Sequence, residues 1–570
     1  MNKISFIEKG VAGNIDFRIK GRRKSFLPFL VFFIVVLVFL FVLLGRLFQL
    51  TIVKGAYYRV LADQNRIREI IIEPQRGKLI DRKGIVLTEN LPADVHDDGK
   101  RIVSKRVYGM PEATSHVIGY RQVADPADLQ ADSCLNKLAL GDKVGKKGVE
   151  KLFECQLRGT DGKKLVEVNA LGKYMRTLSV VDPQPGETLQ LALDSQLQQK
   201  TYDLIENQKA VVIGIKPKTG EVLILTSSPA YNPQVFEDGD SVQAKRYINN
   251  SDKPLFNRAT EGSYPPGSTF KLVLAAGSLE DKTITPETEF EDNGFIKAGS
   301  AIFHNWYYLQ YGKTDGLVNI IKGIQRSNDV FFYQVGAKMG PEKIKKWAET
   351  FGFQRDTNIG IEEADGLIPS PFWKEDVLHE QWYLGDTYNL SIGQGFVTVT
   401  PLQMAMATSV FANDGYLCQP QLLKQQTGEV NKKCKKLPLS ASTVSLVREG
   451  MEKACAPGGT GWPFFEFKVR DVAIPVAPFV DQTASPGTDL YPASPSASLI
   501  NDRPITVGCK TGTAESHGKN SKAHAWFTVF APFDKPEIVL IVLIEEGGQG
   551  SDVAAPIAKE ILTAYFERNQ

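Results

Sequence analysis

The sequence predicts an α/β protein in which an antiparallel sheet lies between helices, preceded by a single membrane-spanning helix and a smaller α+β module. Three observations point there. A long uncharged run sits near the N-terminus; strand-like runs open and close the C-terminal part, with helical patterns between them; and 570 residues exceed one ordinary core. The chain is 42% hydrophobic and 23% charged, the balance of a globular protein with a sizeable core rather than a disordered one. A net charge of +2 excludes the strongly basic character of a nucleic-acid binder.

From Phe26 to Leu44 the sequence reads FLPFLVFFIVVLVFLFVLL, without a charge and long enough at helical rise to cross the hydrocarbon layer of a bilayer. Residues 26–45 are therefore expected to be a transmembrane anchor. Lys3, Lys9, Arg18, Lys20, Arg22, Arg23 and Lys24 precede it against only Glu8 and Asp16, so residues 1–25 are expected in the cytoplasm and everything after Arg46 outside it. A cleaved signal peptide would have a shorter apolar region ending at small residues, whereas here GRLFQL continues. A buried core helix would not carry so one-sided a basic flank.

Residues 46–192 read as a pedestal module. An amphipathic stretch runs to Asn65, RGKLIDRKGIVL (Arg76 to Leu87) alternates around the Arg82-Lys83-Gly84 turn as a hairpin, and GKKGVEKLFECQLRGTDG (Gly145 to Gly162) gives a short helix between glycine turns. No nucleophile paired with a base occurs there.

Residues 193–570 form the second module. AVVIGIKP and EVLILTSS make a hairpin about Lys218-Thr219-Gly220, and helical patterns run from Ser268 to about Cys455. TVGCKTGTAES, HAWFTVFAP and EIVLIVLIEE then alternate or run apolar as adjacent antiparallel strands, and APIAKEILTAYF closes as an amphipathic helix. Ala473 to Pro504 is rich in Pro, Ser and Ala and reads as a long surface loop. The six cysteines (Cys134, Cys155, Cys418, Cys434, Cys455, Cys509) show no metal-binding spacing. Cys418 and Cys434 flank the Thr427-Gly428 turn signal, a spacing equally compatible with a cross-strand disulfide and with isolated buried thiols. The six histidines lack ligand spacing, so no metal site and no cofactor are expected.

The chemistry concentrates at SYPPGSTFK, Ser263 to Lys271. Two prolines hold the backbone extended, Gly267 lets it turn, and Ser268 opens a helix that brings Lys271 onto its own face one turn later. A serine hydroxyl needs a base to become a nucleophile, and a lysine with a lowered pKa is such a base. The helix N-terminus adds N–H groups aimed at developing negative charge, so the arrangement suits acyl transfer. The spacing alone is weak, because Ser516 to Lys519 (SHGK) repeats it in what reads as a solvated turn. Lys218-Thr219-Gly220 reads as a plain hairpin turn, whereas Lys510-Thr511-Gly512-Thr513 continues a strand. Ser327-Asn328-Asp329 interrupts LVNIIKGIQ and VFFYQVGAKMG and lies on an inter-helix turn, where a simple helix cap is the competing reading.

A helix-borne SxxK, a loop triplet and a strand-borne KTGT, in that order, form the combination used by β-lactamases and penicillin-binding proteins. The chain resembles the class B penicillin-binding proteins, specifically the elongation-type penicillin-binding protein 2 group, over nearly its whole length. Beyond the three motifs the likeness includes NRIR at Asn65, RGKLIDRKG at Arg76, HVIGY at His116, GVEKLFE at Gly148, YNPQVF at Tyr231, GDTYNLSIGQG at Gly385, TPLQ at Thr400 and GGTGWPF at Gly458.

The resemblance implies a penicillin-binding transpeptidase domain on a dimerisation-type pedestal, and a peptidoglycan D,D-transpeptidase inhibited by β-lactams. Ser268 would attack the D-Ala-D-Ala bond of a stem peptide with Lys271 as base. Ser327 would relay protons, Asp329 would hold Lys271, and Lys510, Thr511, Gly512 and Thr513 would bind the terminal carboxylate. The N–H groups of Ser268 and Thr513 would form the oxyanion hole. Implied partners are a RodA-type membrane polymerase and rod-shape scaffold proteins. The motif ends in Asp329 where the wider superfamily commonly has asparagine. Some relatives bind zinc near it through a set including a cysteine; no cysteine lies between Cys155 and Cys418, so that site is not carried over. The segment from Asn90 to His116 is short for the family's membrane-proximal head. A β-lactamase or D,D-carboxypeptidase would use the same serine and lysine but pass the acyl group to water, and a silent sensor would bind β-lactam without turnover. The anchor and pedestal favour cross-linking over the first, and the intact motifs argue against the second.

Overall fold

The structure, a computed structural model, describes residues 26–91, 101–169, 171–425, 433–470, 502–516 and 522–568. The basic segment before residue 26, on which the orientation of the anchor rests, lies outside these residues, as does most of the Ala473 to Pro504 loop. The chain divides into two compact units, residues 1–70 with 164–180, and residues 71–163 with 181–570.

In the first unit α1 (Leu27–Phe48) covers the expected span and runs a little beyond it, passing into a π-helical turn at Gln49–Val53 and a helix at Gly55–Arg66. None of the side chains of α1 is buried by protein, as an apolar helix needs if lipid is to be its solvent. Arg66 pairs with Glu167 at 2.6 Å, and Arg176 with the other oxygen of the same carboxylate at 2.7 Å.

The second unit opens with the hairpin expected at RGKLIDRKGIVL. Leu79 faces Thr88 and Ile80 faces Val86, and the Asp81 carboxylate accepts from the N–H groups of Lys83 and Ile85, closing the turn. Its second oxygen accepts from the Ser195 hydroxyl at 2.8 Å, fastening the hairpin to α2 (Ser195–Ile205). GVEKLFE forms two short helices, Gly148–Leu152 and Glu154–Arg158, and Glu150 and Glu154 project into a buried charge cluster. Arg76 reaches Glu150 and Glu154 at 2.6 Å each, and Arg106 reaches Glu150 at 2.8 Å. Arg121 joins Glu73 at 3.0 Å and Glu237 at 2.8 Å. Mutual pairing is what lets guanidinium and carboxylate groups occupy positions almost closed to water.

The large sheet follows. It contains β1 (Ala210–Ile215), β2 (Val222–Ser228), β3 (Gly508–Ala514), β4 (His524–Ala531) and β5 (Ile538–Ile544) in the order β2-β1-β5-β4-β3, all antiparallel. Between β2 and β3 in the chain come α3 (Lys271–Glu280), α4 (Asp329–Met339), α5 (Pro401–Ala412) and α6 (Ala441–Ala454); α7 (Ala555–Arg568) ends it. On one face Val211, Ile213, Trp526, Phe530, Val539 and Ile541 pack with Leu272 of α3 and Met404 and Val410 of α5. On the other, Val212, Phe527, Val529, Leu540 and Val542 pack with Leu197 of α2 and Ile561 and Leu562 of α7. Both faces are covered, which explains the unbroken apolar run IVLIVLI: with period 2, every position of β5 meets a helix layer. Each such large side chain contributes about 1.5–3 kcal/mol by leaving water.

TPLQ starts α5 with a reciprocal cap, Thr400 and Gln403 each binding the other's backbone N–H. Lys468–Arg470 pairs antiparallel with Asp502–Pro504 at the two ends of the Pro-rich segment. All six cysteines pair, as Cys134–Cys155, Cys418–Cys434 and Cys455–Cys509. The first of the two arrangements left open for Cys418 and Cys434 is thus the one adopted, across directly opposed strand positions.

Candidate active site

SYPPGSTFK crosses the end of β3 closely. The Trp526 indole donates to the Pro265 carbonyl at 2.9 Å, and the Gly267 N–H donates to the Gly393 carbonyl at 2.9 Å. Gly267 has φ +53°, and a Cβ there would lie 2.7 Å from the Thr513 carbonyl oxygen, so glycine is what lets the helix tip meet the KTGT strand. Ser268 lies in a single 3-10 turn, Gly267–Thr269, and α3 proper begins at Lys271. The expected helix start is therefore tightened by one turn; the Thr269 hydroxyl donating to the Pro266 carbonyl at 2.7 Å holds it so.

Lys271 is wholly buried. Its amine donates to Asp329 Oδ1 at 2.6 Å and to the Ser327 carbonyl at 2.9 Å, and lies 3.5 Å from Ser327 Oγ. Lys510, also wholly buried, donates to Ser327 Oγ at 2.7 Å and to the Thr511 carbonyl at 2.9 Å. Ser327 thus stands between two amines, and its φ of +53° is a left-handed conformation that a serine adopts only under constraint. Burial pushes the Lys271 amine below its ordinary value, with Asp329 acting the other way. Burial pushes Lys510 well below, Lys271 adding to the effect and Asp329 opposing it. Two amines thus lie near one carboxylate, and burial lowers the pKa of both.

The triplet combines a helix cap with two cleft residues. Asn328 caps α4, its Oδ1 accepting from the Phe331 N–H at 2.9 Å, while Ser327 and Asp329 on either side turn into the cleft. Below them Asp292 accepts from Asn305 at 2.7 Å and from Asn328 at 2.8 Å. Asn305 in turn accepts from the Asp329 N–H at 3.2 Å, and the Trp306 N–H donates to Asp329 Oδ2 at 3.0 Å.

Ser268, Ser327, Asp329, Thr511, Gly512 and Thr513 line one cleft of about 680 Å³. Of the residues predicted to act on substrate, Lys271 and Lys510 are buried beneath the cleft and the other six line it. Ser516 of the second SxxK donates to the Lys522 carbonyl at 2.9 Å, and residues 517–519 of that match lie outside the described residues. Lys218-Thr219-Gly220 forms the tip between β1 and β2. Sequence reasoning passed over the aromatic wall of His304, Trp306, Tyr307 and Tyr311, although HNWYYLQY is dense enough in rings to have signalled a surface. It gave no role to Thr460, whose hydroxyl lies 2.7 Å from that of Thr511, or to Gln394, which donates to the Thr513 carbonyl at 3.1 Å. Among the described residues no cluster of His, Cys, Asp and Glu suits a metal ion.

The cleft thus sets a half-buried hydroxyl over a floor that holds two desolvated amines and opposite a strand rich in hydroxyl and N–H donors, an arrangement suited to acyl transfer.

Comparison with known proteins is in accord. The penicillin binding protein transpeptidase domain family matches residues 210–473 and 482–563, and the penicillin-binding protein dimerisation domain family matches 101–191. The peptidoglycan D,D-transpeptidase MrdA of Haemophilus influenzae is 30% identical over 621 residues, covering 95% of this chain and 91% of its own. The complex of penicillin-binding protein PBP2 with MreC from Helicobacter pylori matches with a TM-score of 0.70 and 27% identity, over 88% of this chain and 99% of that one. A chain of a peptidoglycan synthase complex, described as coordinating polymerization and crosslinking, matches with a TM-score of 0.70 and 26% identity over 95% of this chain and 98% of that one.

Proposed function

The chain belongs to the penicillin-binding protein transpeptidase family, in its class B, MrdA-type group, and on that premise we propose how its residues cross-link peptidoglycan stem peptides as a serine D,D-transpeptidase of cell elongation. The single observation that carries the reading is the meeting of Lys271, Ser327, Asp329 and Lys510 through bonds of 2.6–3.5 Å beneath a cleft onto which Ser268 opens.

Ser268 Oγ attacks the carbonyl carbon of the D-Ala-D-Ala bond as Lys271, its pKa lowered by burial, takes the proton. The N–H groups of Ser268 and Thr513 receive the oxyanion. Collapse breaks the C–N bond; Ser327 passes its proton to the departing D-alanine amine and takes the one held by Lys271, 3.5 Å away, so that an ester on Ser268 and a deprotonated Lys271 remain to accept the proton of the next amine. The amine of a second stem peptide attacks that ester, restoring the hydroxyl and forming the cross-link. Lys510, Thr511, Gly512 and Thr513 hold the substrate's terminal carboxylate. Its arrival supplies Lys510 with a counter-charge, and a protonated Lys510 repels a proton from Lys271 at the moment a base is needed. β-Lactams acylate Ser268 as mimics of the same peptide.

Residues 193–570 are assigned to the transpeptidase domain and 46–192 to its pedestal, with residues 26–45 as the anchor, residues 1–25 in the cytoplasm and the catalytic part outside. The one described helix long and apolar enough to span a membrane supports the anchoring. The partners proposed are a RodA-type glycan polymerase and rod-shape scaffold proteins, supported by the likeness to chains solved with MreC and within a peptidoglycan synthase complex. Labelled penicillin is expected on Ser268 as a slowly released adduct. Polymerised pentapeptide strands are expected to give cross-linked dimers by mass spectrometry; trimmed tetrapeptides alone would mark a carboxypeptidase, and rapid turnover of penicillin a β-lactamase.

A further inference from the structure

The Cys455–Cys509 disulfide stands next to the reaction machinery. Cys509 is the residue before Lys510 on β3, and Cys455 follows the last residue of α6, which packs against β3. The chain leaving Cys455 folds back over the two sulfurs. The Gly459 N–H donates to the Ala456 carbonyl at 2.9 Å and the Gly461 N–H to the Ala454 carbonyl at 2.8 Å. A Cβ on Gly461 would lie 2.6 Å from the sulfur of Cys509 and 2.9 Å from that of Cys455, so the loop is moulded directly on the bridge. From the far side Arg326, the neighbour of Ser327, donates to the Gly458 carbonyl at 3.0 Å.

This mould presents one polar side chain to the cleft. Thr460 lines it together with Thr511, Gly512 and Thr513, and its hydroxyl touches that of Thr511 at 2.7 Å. Two hydroxyls at that distance each have one proton; in the pair at least one oxygen must accept, and an incoming carboxylate lets both donate.

We propose that Thr460 is a further carboxylate-binding residue of the substrate site and that the Cys455–Cys509 disulfide is its positioning device, templating the loop so that the hydroxyls of Thr460 and Thr511 converge on one oxygen. The inference rests on the transpeptidase reading above and deepens it by adding a wall to the carboxylate subsite. Merely structural service, in which Thr460 only steadies Thr511, predicts a different outcome.

The full-length protein in detergent is acylated with benzylpenicillin and with its methyl ester, which lacks the charged carboxylate, and second-order rate constants are compared. Thr460→Val keeps the shape and removes the hydroxyl; it is expected to narrow the preference for acid over ester about tenfold or more, a hydrogen bond to a charged group being lost, with the ester rate little changed. Thr460→Ser is expected to keep the preference. The double variant Cys455→Ala/Cys509→Ala is expected to narrow it likewise, and adding Thr460→Val to that background to do little more, since both changes remove one interaction. Equal slowing of acid and ester in Thr460→Val overturns the clamp. Full additivity, or a bridge-free chain that fails to reach the folded circular dichroism spectrum, overturns the positioning role of the disulfide while the Thr460 pair still decides the clamp. Absence of any adduct on Ser268 in the unaltered protein would instead sink the transpeptidase reading itself.

Discussion

Glu150→Gln tests the buried charge cluster of the pedestal. The side chain is closed to water and bonded to Arg76 at 2.6 Å and Arg106 at 2.8 Å, and despite the burial that works against it these guanidinium groups hold its carboxyl down from 4.5 to about 2. At about 1.36 kcal/mol per pKa unit the charged form contributes about 3 kcal/mol to folding. A carboxylate whose folded pKa is depressed gives its full stabilisation above the unfolded value and loses it as pH falls toward the folded one. The contribution is therefore whole at pH 6–7, falls to about half or less by pH 3, and is gone below about 2. Glutamine has the shape of the protonated acid, so Glu150→Gln is expected to cost about 3 kcal/mol near neutrality, in the range for breaking one partner out of a buried pair. The gap to the unaltered protein should close progressively below pH 4.5. Denaturant unfolding followed by tryptophan fluorescence at pH 7, 5, 4 and 3 measures both. A variant as stable as the parent at pH 7, or an equal deficit at every pH, would refute the assignment of charge to this cluster.

Three further outcomes are expected. Lys271→Ala should slow acylation of Ser268 by labelled penicillin about a hundredfold or more, in line with loss of a positioned general base, while the melting temperature moves by a few degrees at most. Asp329→Asn removes the group that keeps the proton on Lys271, so the rising limb of the acylation pH profile should move to lower pH; a limb that stays or moves upward would show that Asp329 does not set the base. Gly267→Ala should abolish acylation while the pedestal keeps its fold, because the added methyl meets the Thr513 carbonyl at 2.7 Å in a left-handed backbone; wild-type rates would disprove the tight approach of helix tip and strand.

The parts of the fold that a sequence can announce are those with a local cause. The uncharged run gave α1 because lipid tolerates little else, and IVLIVLI gave a fully covered strand because no position needed a polar escape. SxxK was legible through helical spacing and KTGT through its place in a strand. What stayed hidden depends on chain segments far apart in sequence. Cys455 and Cys509 are 54 residues apart and meet only because α6 lies along β3. Thr460 becomes a partner of Thr511 only through that same meeting. Arg76, Glu150 and Glu237 each look like ordinary surface charges in their own segments; only the packed structure makes them one another's solvent.

The position of β3 at the rim of its sheet carries a cost that the surrounding loops limit. With β4 on one side and, among the described residues, no strand on the other, its outer backbone groups are open to an extended chain, a neighbouring copy included, which is the condition under which sheet proteins stick to one another. Here the Gly267 tip stands over its end, the Gln394 amide occupies the Thr513 carbonyl, and the Thr460 loop rises alongside, leaving a trench rather than a flat margin. A slender strand bearing the right terminus fits such a trench; the broad edge of another sheet does not.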